Sequence, residues 1–596
     1  MRKKTPLWRK LLLTLVLLGL AACTWEFISS QNPYILPVKR ALKYNVFAQS
    51  TVNRDAERAG LAEDHSSVVY SDGEVLTTEF DPTADNKKIL SDSNLTRLVN
   101  YAHGYQLDTP AGTEFDFALS PLFVTGKGEG FDVTVSREKA DYQSLKDVIT
   151  FELSTFLPWF FDDNTVENYV YHYEYRFLLD EGWQRNNGVT TSSWTDGSIY
   201  FVEAQVDGLS DDLFDGYLYV NYFTPSREYL RVMFRYQKED TATRDKLLEL
   251  TKNTRIFDPV GTAVYRTDYA PKPSNAAWSQ ETRDLYNALN NFSSPMDWGI
   301  FLQDFYVSGF DGELAELEEK LDYTFPLILY YRHFPTHEFP TEVMQENYEA
   351  GRLVELTLQL TDNNNMDMFA NSPLLEIYRG NMDQELRQWA RAAADFGHPF
   401  LFRLNNEMNS DWTSYGGVVN MADPAIFTAV WQRIYRIFEE EGVDNCLWIF
   451  NPHDRQAPPS DWNNSLAYYP GNEYVHLIGV TGYNNGTYYT QWAEEWREFD
   501  VIYDQIWDEY SPRFGKFPWI ITEFASSGIG GDKVAWIHNL FDHIGNYPNI
   551  RMAVWFSFAD FDDANGGTPA RTYWLDETPE TLEAFRQGLK KQFPSP

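Results

Sequence analysis

Two stretches of this chain carry an apolar run into a polar end that holds a glutamate. Pro399 to Trp412 reads PFLFRLNNEMNSDW, with Glu407 flanked by asparagines, and Pro518 to Ser527 reads PWIITEFASS, with Glu523 at the end of the run. A short apolar run bounded by proline reads as a buried strand. A period of two puts Arg403, Asn405 and Glu407 on one face of the first. Two carboxylates at the polar ends of buried strands suit the hydrolysis of glycosidic bonds. One protonates the leaving oxygen, and the other attacks the sugar carbon or activates a water. The mundane alternative is a surface glutamate in one case and a strand-end cap in the other.

The elements around these stretches point to a barrel. From residue 290 to 596, eight apolar runs alternate with helical patterns: Trp298 to Leu302, Pro326 to Tyr331, Leu353 to Leu360, Phe400 to Asn405, Leu447 to Asn451, Val475 to Val480, Trp519 to Thr522 and Met552 to Ser557. Continuous apolar strands alternating with helices imply a parallel sheet, and eight repeats in about 300 residues imply a (β/α)8 barrel. That fold carries its active site at the strand C-terminal ends, and Glu407 and Glu523 close strands four and seven.

The preceding region, 66–268, reads as a smaller α+β domain, so the fold class is α/β with a C-terminal TIM barrel. Its strand-like runs are Tyr169 to Leu179, Ser198 to Val206, Gly216 to Phe223 and Glu228 to Tyr236, followed by a helix over Thr241 to Lys252. This order suggests an antiparallel sheet with helices on one face. Trp183 and Trp194 flank a strand and fit either carbohydrate binding or packing. The proline-bearing stretch Thr262 to Ala277 leads into a linker over 269–289, so the barrel is expected to fold alone.

The 596-residue chain has room for these units, and its net charge of −38 argues against a nucleic-acid or anionic-lipid partner. The 19 Trp and 37 Tyr suit the flat apolar faces of sugars, with core packing as the plainer use. Only two cysteines are present, Cys23 and Cys446, so no disulfide framework is implied. No metal-ligand spacing or nucleotide loop is found, so no metal or cofactor is expected.

The N-terminus is an address. A basic segment with Arg2, Lys3, Lys4, Arg9 and Lys10 precedes the apolar run Leu11 to Leu20 and the sequence Leu20-Ala21-Ala22-Cys23. This reads as a secretory signal over 1–23, with an uncleaved N-terminal membrane anchor as the alternative, and its end looks like a bacterial lipobox. The resemblance implies cleavage before Cys23 and lipidation of its thiol, with 24–65 as a tether. The folded part is then extracytoplasmic, lipid-anchored to the bacterial cell membrane or surface.

The second domain resembles glycoside hydrolase family 26, within the clan of retaining barrel enzymes. Arg403, Glu407-Met408-Asn409 and Trp412 are similar to its acid/base segment, and Ile521 to Ser526 to its nucleophile segment. Gly479 with Gly482-Tyr483-Asn484 resembles its strand-six motif. Trp448 with Asn451-Pro452, Trp555-Phe556, and Trp574 with Thr578-Pro579-Glu580 resemble its strand-five, strand-eight and C-terminal segments. The resemblance implies Glu407 as proton donor, Glu523 as nucleophile, Tyr483 orienting Glu523, and Arg403 shaping the field around the pair. It further implies Asn406 on the sugar 2-hydroxyl and Trp412, Trp448 and Trp555 as sugar platforms. In retaining enzymes the carboxyl groups stand about 5–5.5 Å apart.

Three positions depart from the family pattern. Asn406 stands where family mannanases usually have His, Leu358-Gln359 where Trp-His is common, and Thr481 where Asp is frequent. They lie near the expected sugar site and shift the expectation from β-mannan toward β-1,3-1,4- or β-1,4-glucan or another polymer, cleaved internally. Two other readings share these features: a hydrolase trimming self-produced exopolysaccharide during secretion, and a non-catalytic polysaccharide-binding surface lipoprotein.

Overall fold

The computed structural model describes residues 67–71, 74–78, 87–91, 94–116, 119–120, 122–139, 169–224, 228–259, 269–271, 277–362, 367–490 and 494–592. The expected signal segment, Cys23 and the expected tether lie outside the described residues.

Eight parallel strands close a barrel in chain order. They are β1 (Asp297–Leu302), β2 (Leu327–His333), β3 (Leu353–Gln359), β4 (Phe400–Leu404), β5 (Cys446–Phe450), β6 (Leu477–Thr481), β7 (Trp519–Phe524) and β8 (Ile550–Ser557). All eight coincide with the apolar runs read from the sequence. Alternation decides which side chains fill the barrel. In β4, Leu401 joins the inner apolar cluster while Phe400 and Phe402 face the helices outside.

The floor of the barrel is closed by a segment read above as linker. Ser279 caps the helix Gln280–Leu289 by accepting a hydrogen bond from the Thr282 N–H. Trp278, Tyr286 and Leu289 then pack on Leu327, Leu401, Leu447, Leu477 and Ile520. Removing this apolar surface from water ties the helix to the barrel.

The first domain is built from sheets. Seven antiparallel strands run in the order Glu114–Asp116, Phe123–Gly128, Phe131–Lys139, Glu228–Tyr236, Gly216–Phe223, Ile199–Val206 and Val189–Asp196. A four-stranded sheet and the helix Thr241–Thr251 cover one face through Leu98, Leu107 and Leu247. The other face, with Tyr217, Tyr219, Tyr229 and Met233, merges into the same core as the barrel. The central strands are therefore buried on both faces, whereas an antiparallel sheet commonly keeps one face wet.

Tyr169 to Leu179 is not a strand. Val170–Glu174 winds as a π-helix and is followed by turns. Its alternating aromatics satisfy strand periodicity, but the inter-domain core takes up Tyr169, Val170, Tyr175, Phe177 and Leu178 together. Trp183 is fully buried in the helix Glu181–Asn187, and Trp194 stacks on Phe201 at 5.0 Å.

The first domain reaches the loops at the open end of the barrel. After β3, Asn187 Oδ1 accepts from the Ser372 N–H at 2.8 Å. After β4, Arg231 donates to the Ala422 carbonyl at 2.6 Å and Tyr219 to the Met421 carbonyl. After β5, the Glu138 carboxylate accepts from the N–H groups of Asp461 and Trp462, and Glu174 accepts from Ser460 Oγ and Trp462 Nε1. Arg231 and Glu174 are buried 3.8 Å apart, so losing either would leave an uncompensated charge, a cost of about 3–5 kcal/mol.

Candidate active site

The polar end of the barrel is organised on Arg403. Residue 403 follows Leu401 by two on β4, so its side chain enters the barrel above the apolar floor. It is fully buried and makes contacts on several strands. Nε donates to Thr357 Oγ1 on β3 at 2.7 Å. Nη1 donates to Asn451 Oδ1 beyond β5 at 2.9 Å and to Glu523 Oε1 on β7 at 2.7 Å, and Nη2 donates to the Tyr331 hydroxyl on β2 at 3.0 Å.

Glu523 is aimed by a local irregularity of β7. Pairing slips between Val480 and Thr481 on the β6 side and between Ile521 and Phe524 on the β8 side. Such slips re-aim side chains beside functional sites. Its Oε2 accepts from the hydroxyls of Tyr331 at 2.8 Å and Tyr483 at 2.9 Å, while Oε1 accepts from Arg403. Three donors from β2, β4 and the segment after β6 thus fix the carboxylate. Burial and the Glu523 charge push both tyrosine hydroxyls well above their usual range, so they remain protonated donors.

Glu407 is placed differently from the expectation. The pleat of β4 presents Arg403, but the strand ends at Leu404, and Asn405 and Glu407 adopt positive φ of 59° and 55°. A single face shared by 403, 405 and 407 is therefore not formed. Asparagine visits this conformation readily, whereas a glutamate held there costs about 1–3 kcal/mol. Neighbouring strand ends over-determine it. Asn405 N–H donates to the Leu358 carbonyl, the Leu360 N–H donates to Asn405 Oδ1, and the Glu407 N–H donates to the Asn451 carbonyl at 2.9 Å. The carboxylate accepts from Trp412 Nε1 at 3.0 Å. Burial pushes its pKa upward and the nearby Glu523 charge adds to this, against the pull of His453, Trp412 and Arg403.

Asn406 Oδ1 accepts from Gln359 Nε2 and from the Tyr415 hydroxyl, both at 2.8 Å, which sets the amide's orientation. Trp412 is 37% exposed and lies edge-on to His453 at 4.9 Å.

Trp448 and Trp555 are not at the cleft, contrary to the platform role expected of them. Trp448 is packed among Phe402, Trp431, Tyr435 and Phe438 outside the barrel wall. Trp555 is fully buried against Phe524, Trp536 and Phe585. The reason is strand parity: Leu447, Ile449 and Val554 point into the barrel, so the tryptophans between them point out. The inward aromatic of β8 is Phe556, stacked on Phe301 at 4.4 Å and edge-on to Tyr483.

Sequence reasoning passed over three groups here. Tyr331 lies two residues before the end of β2, on the inward parity. His453 sits beside Glu407. Glu355 is fully buried on β3 with Oε1 3.1 Å from Arg403 Nε, and burial, opposed by Arg403 and reinforced by Glu523, pushes its pKa up to about 8. A lone acid in the middle of LVELTLQ was the available signal for it. Among the described residues no group of three His, Cys, Asp or Glu side chains is set to hold a metal.

Residues 363–519 match the model of glycosyl hydrolase family 26. The matched stretch lies within the barrel, contains Glu407 and Tyr483 and stops four residues before Glu523. Over 248 residues the chain is 29% identical to endoglucanase H of Acetivibrio thermocellus, covering 41% of this chain and 25% of that one. Over 97 residues it is 31% identical to a mannan endo-1,4-beta-mannosidase of Bacillus subtilis, covering 15% of this chain and 25% of that one. The chain thus covers a quarter of the length of each of these curated relatives. A solved GH26 beta-mannanase from Bacteroides ovatus aligns with 53% of this chain and 94% of its own at 15% identity and a TM-score of 0.42.

Proposed function

We propose that the barrel domain is a retaining, endo-acting β-glycoside hydrolase, with a mixed-linkage or β-1,4-glucan as the first substrate to consider and β-mannan as the second. The observation that carries this reading is the unequal treatment of two neighbouring glutamates. Glu523 is held by three donors, one of them Arg403, and Glu407 is pushed toward its protonated form by burial and by Glu523.

In the first step Glu523 attacks the anomeric carbon while Glu407 passes its proton to the departing glycosidic oxygen. In the second, Glu407, now a carboxylate, takes a proton from water, and that water displaces Glu523 from the sugar. Glycosylation removes the negative charge of Glu523 and with it one of the influences that keep Glu407 protonated, so the acid becomes a base between the steps. Arg403, Tyr331 and Tyr483 keep Glu523 aligned. Asn406, whose oxygen is engaged by Gln359 and Tyr415, turns its Nδ2 to the sugar 2-hydroxyl. Trp412 is the sugar platform on the Glu407 side.

The preference for glucan rests on Asn406 and Gln359, which replace the residues usual in family mannanases, and on the longer of the two matches being to an enzyme named an endoglucanase. The LAAC sequence supports a lipid anchor at Cys23 and an extracytoplasmic location. The test is a substrate screen with protein lacking residues 1–23 on mixed-linkage glucan, cellulose, mannans and xylans. Reducing ends should appear from glucan first. Faster release from mannan would reverse the substrate order, and no release from any β-linked polymer would refute the hydrolase reading.

A further inference from the structure

Beside Glu407 stands a side chain that these steps do not use. His453 opens the loop after β5 and is fixed on several sides. Its N–H donates to Asn409 Oδ1 at 2.8 Å, and Asn409 Nδ2 donates back to its carbonyl at 3.1 Å. Its ring meets Trp412 edge-to-face at 85°. Nδ1 lies 2.8 Å from the Arg455 carbonyl oxygen, and the Arg455 N–H approaches Nδ1 at 3.3 Å. A carbonyl oxygen only accepts, so the shorter contact calls for a proton on Nδ1.

Nε2 then faces two carboxylates, at 3.7 Å from Glu407 Oε1 and 3.3 Å from Asp454 Oδ1. A neutral imidazole protonated at Nδ1 would direct a lone pair at acceptors on both sides. That arrangement is relieved only if one of the three groups carries a proton there. Asp454 is not that group. Its Oδ2 accepts from Arg497 Nη1 at 2.6 Å, and although burial works the other way, Arg497, His453 and Arg455 hold its carboxyl well below the usual range. At least one proton therefore stands on Glu407 or His453 Nε2, and an imidazole protonated at both nitrogens meets both carboxylates whether or not Glu407 also holds its own proton.

We propose that His453 is a positioning residue whose imidazole is proton-linked to Glu407, its cationic form stabilising the Glu407 carboxylate each time the acid gives up its proton. Asp454, anchored by Arg497, keeps Nε2 turned toward Glu407. The proton on Glu407 goes to the leaving oxygen, the proton on Nε2 comes from solvent, and no covalent bond to His453 forms. The other charged groups bearing on the pair are Arg455 on the same loop, Arg497 before the helix Phe499–Phe514, Arg403 on β4 and Glu523 on β7. The inference rests on the reading of Glu407 as proton donor.

The test is the pH profile of kcat/KM for full-length His453→Gln on polysaccharide and on a dinitrophenyl β-glycoside, whose leaving group needs no proton. Removing a cation within about 4–6 Å lets Glu407 keep its proton to higher pH, by about one unit. The alkaline limb on polysaccharide should therefore move up, and the variant-to-wild-type ratio above that limb should exceed the ratio on the acid side by up to about tenfold. On the aryl glycoside this limb should be absent in both proteins. An unchanged limb on polysaccharide, or one loss of equal size on both substrates at every pH, would overturn the inference and leave His453 a packing residue. Should His453→Gln fail to fold, the imidazole resonance of His453 in the wild type provides a second readout. It should titrate in a way that changes in Glu407→Gln, and an identical titration in both proteins would overturn the linkage. Full polysaccharide activity in Glu407→Gln would instead refute the proton-donor reading itself.

Discussion

The two ends of the barrel are made by the same strands and are built on opposite terms. At the floor, Leu401, Leu447, Ile449, Ile520 and Val554 meet the helix Gln280–Leu289 in an apolar cluster. Two or three residues further along the chain from the β4, β5 and β7 floor positions stand Arg403, Asn451, Thr522 and Glu523, all buried and polar. The floor gains stability from every apolar atom it hides. The open end buries an arginine among carboxylates, holds Glu407 at positive φ, and leaves both Glu355 oxygens without a hydrogen bond. What this teaches is a division of labour along one strand: the lower residues stabilise a frame in which the upper ones can hold charges at fixed positions.

The comparison breaks most clearly at Leu401. Leu401→Ala should cost about 2–5 kcal/mol of stability through lost burial and the cavity left behind. Its kcat/KM should stay within a few-fold of wild type wherever the protein is folded, as read by thermal unfolding alongside kinetics. A large kinetic loss with unchanged stability would show that the floor positions the site directly.

A smaller effect should appear at Glu355. Its folded pKa of about 8 lies above the usual glutamate value of about 4.3, so between these pH values the folded protein holds a proton that the unfolded chain has released. Its contribution is therefore greatest below about pH 4.3 and is lost as pH rises through 8. Glu355→Gln should flatten the decline of Tm between pH 5 and 9. A decline as steep as in wild type would mean that Glu355 is already ionised in the folded state.

The frame was more legible in the sequence than the site. All eight barrel strands announce themselves as apolar runs because a parallel strand is buried on both faces. The floor helix was hidden behind prolines that read as a linker, and only tertiary packing of Trp278 and Tyr286 reveals its task. Tyr169 to Leu179 mimics a strand because the inter-domain core wants aromatics whatever the local winding. At the site, Glu407, Glu523, Arg403, Tyr483, Asn406 and Trp412 come together at the open end of the barrel. Trp448 and Trp555 do not, because one residue of parity moves a side chain to the far side of the wall. Glu355, Tyr331 and His453 carry no motif, and their importance lies in contacts across strands far apart in sequence.

The central claim is that Glu407 and Glu523 divide the chemistry between them, and azide rescue tests it most directly. Glu407→Ala, given a dinitrophenyl β-glycoside, should lose much less than the roughly 10²–10⁴-fold expected on polysaccharide. Azide should then accelerate turnover by attacking the sugar bound to Glu523 from the face that water would have used. Two inversions give net retention, so the account predicts a β-glycosyl azide, with Glu523→Ala unable to form it. An α-glycosyl azide from Glu407→Ala would mean direct displacement and would contradict the assignment.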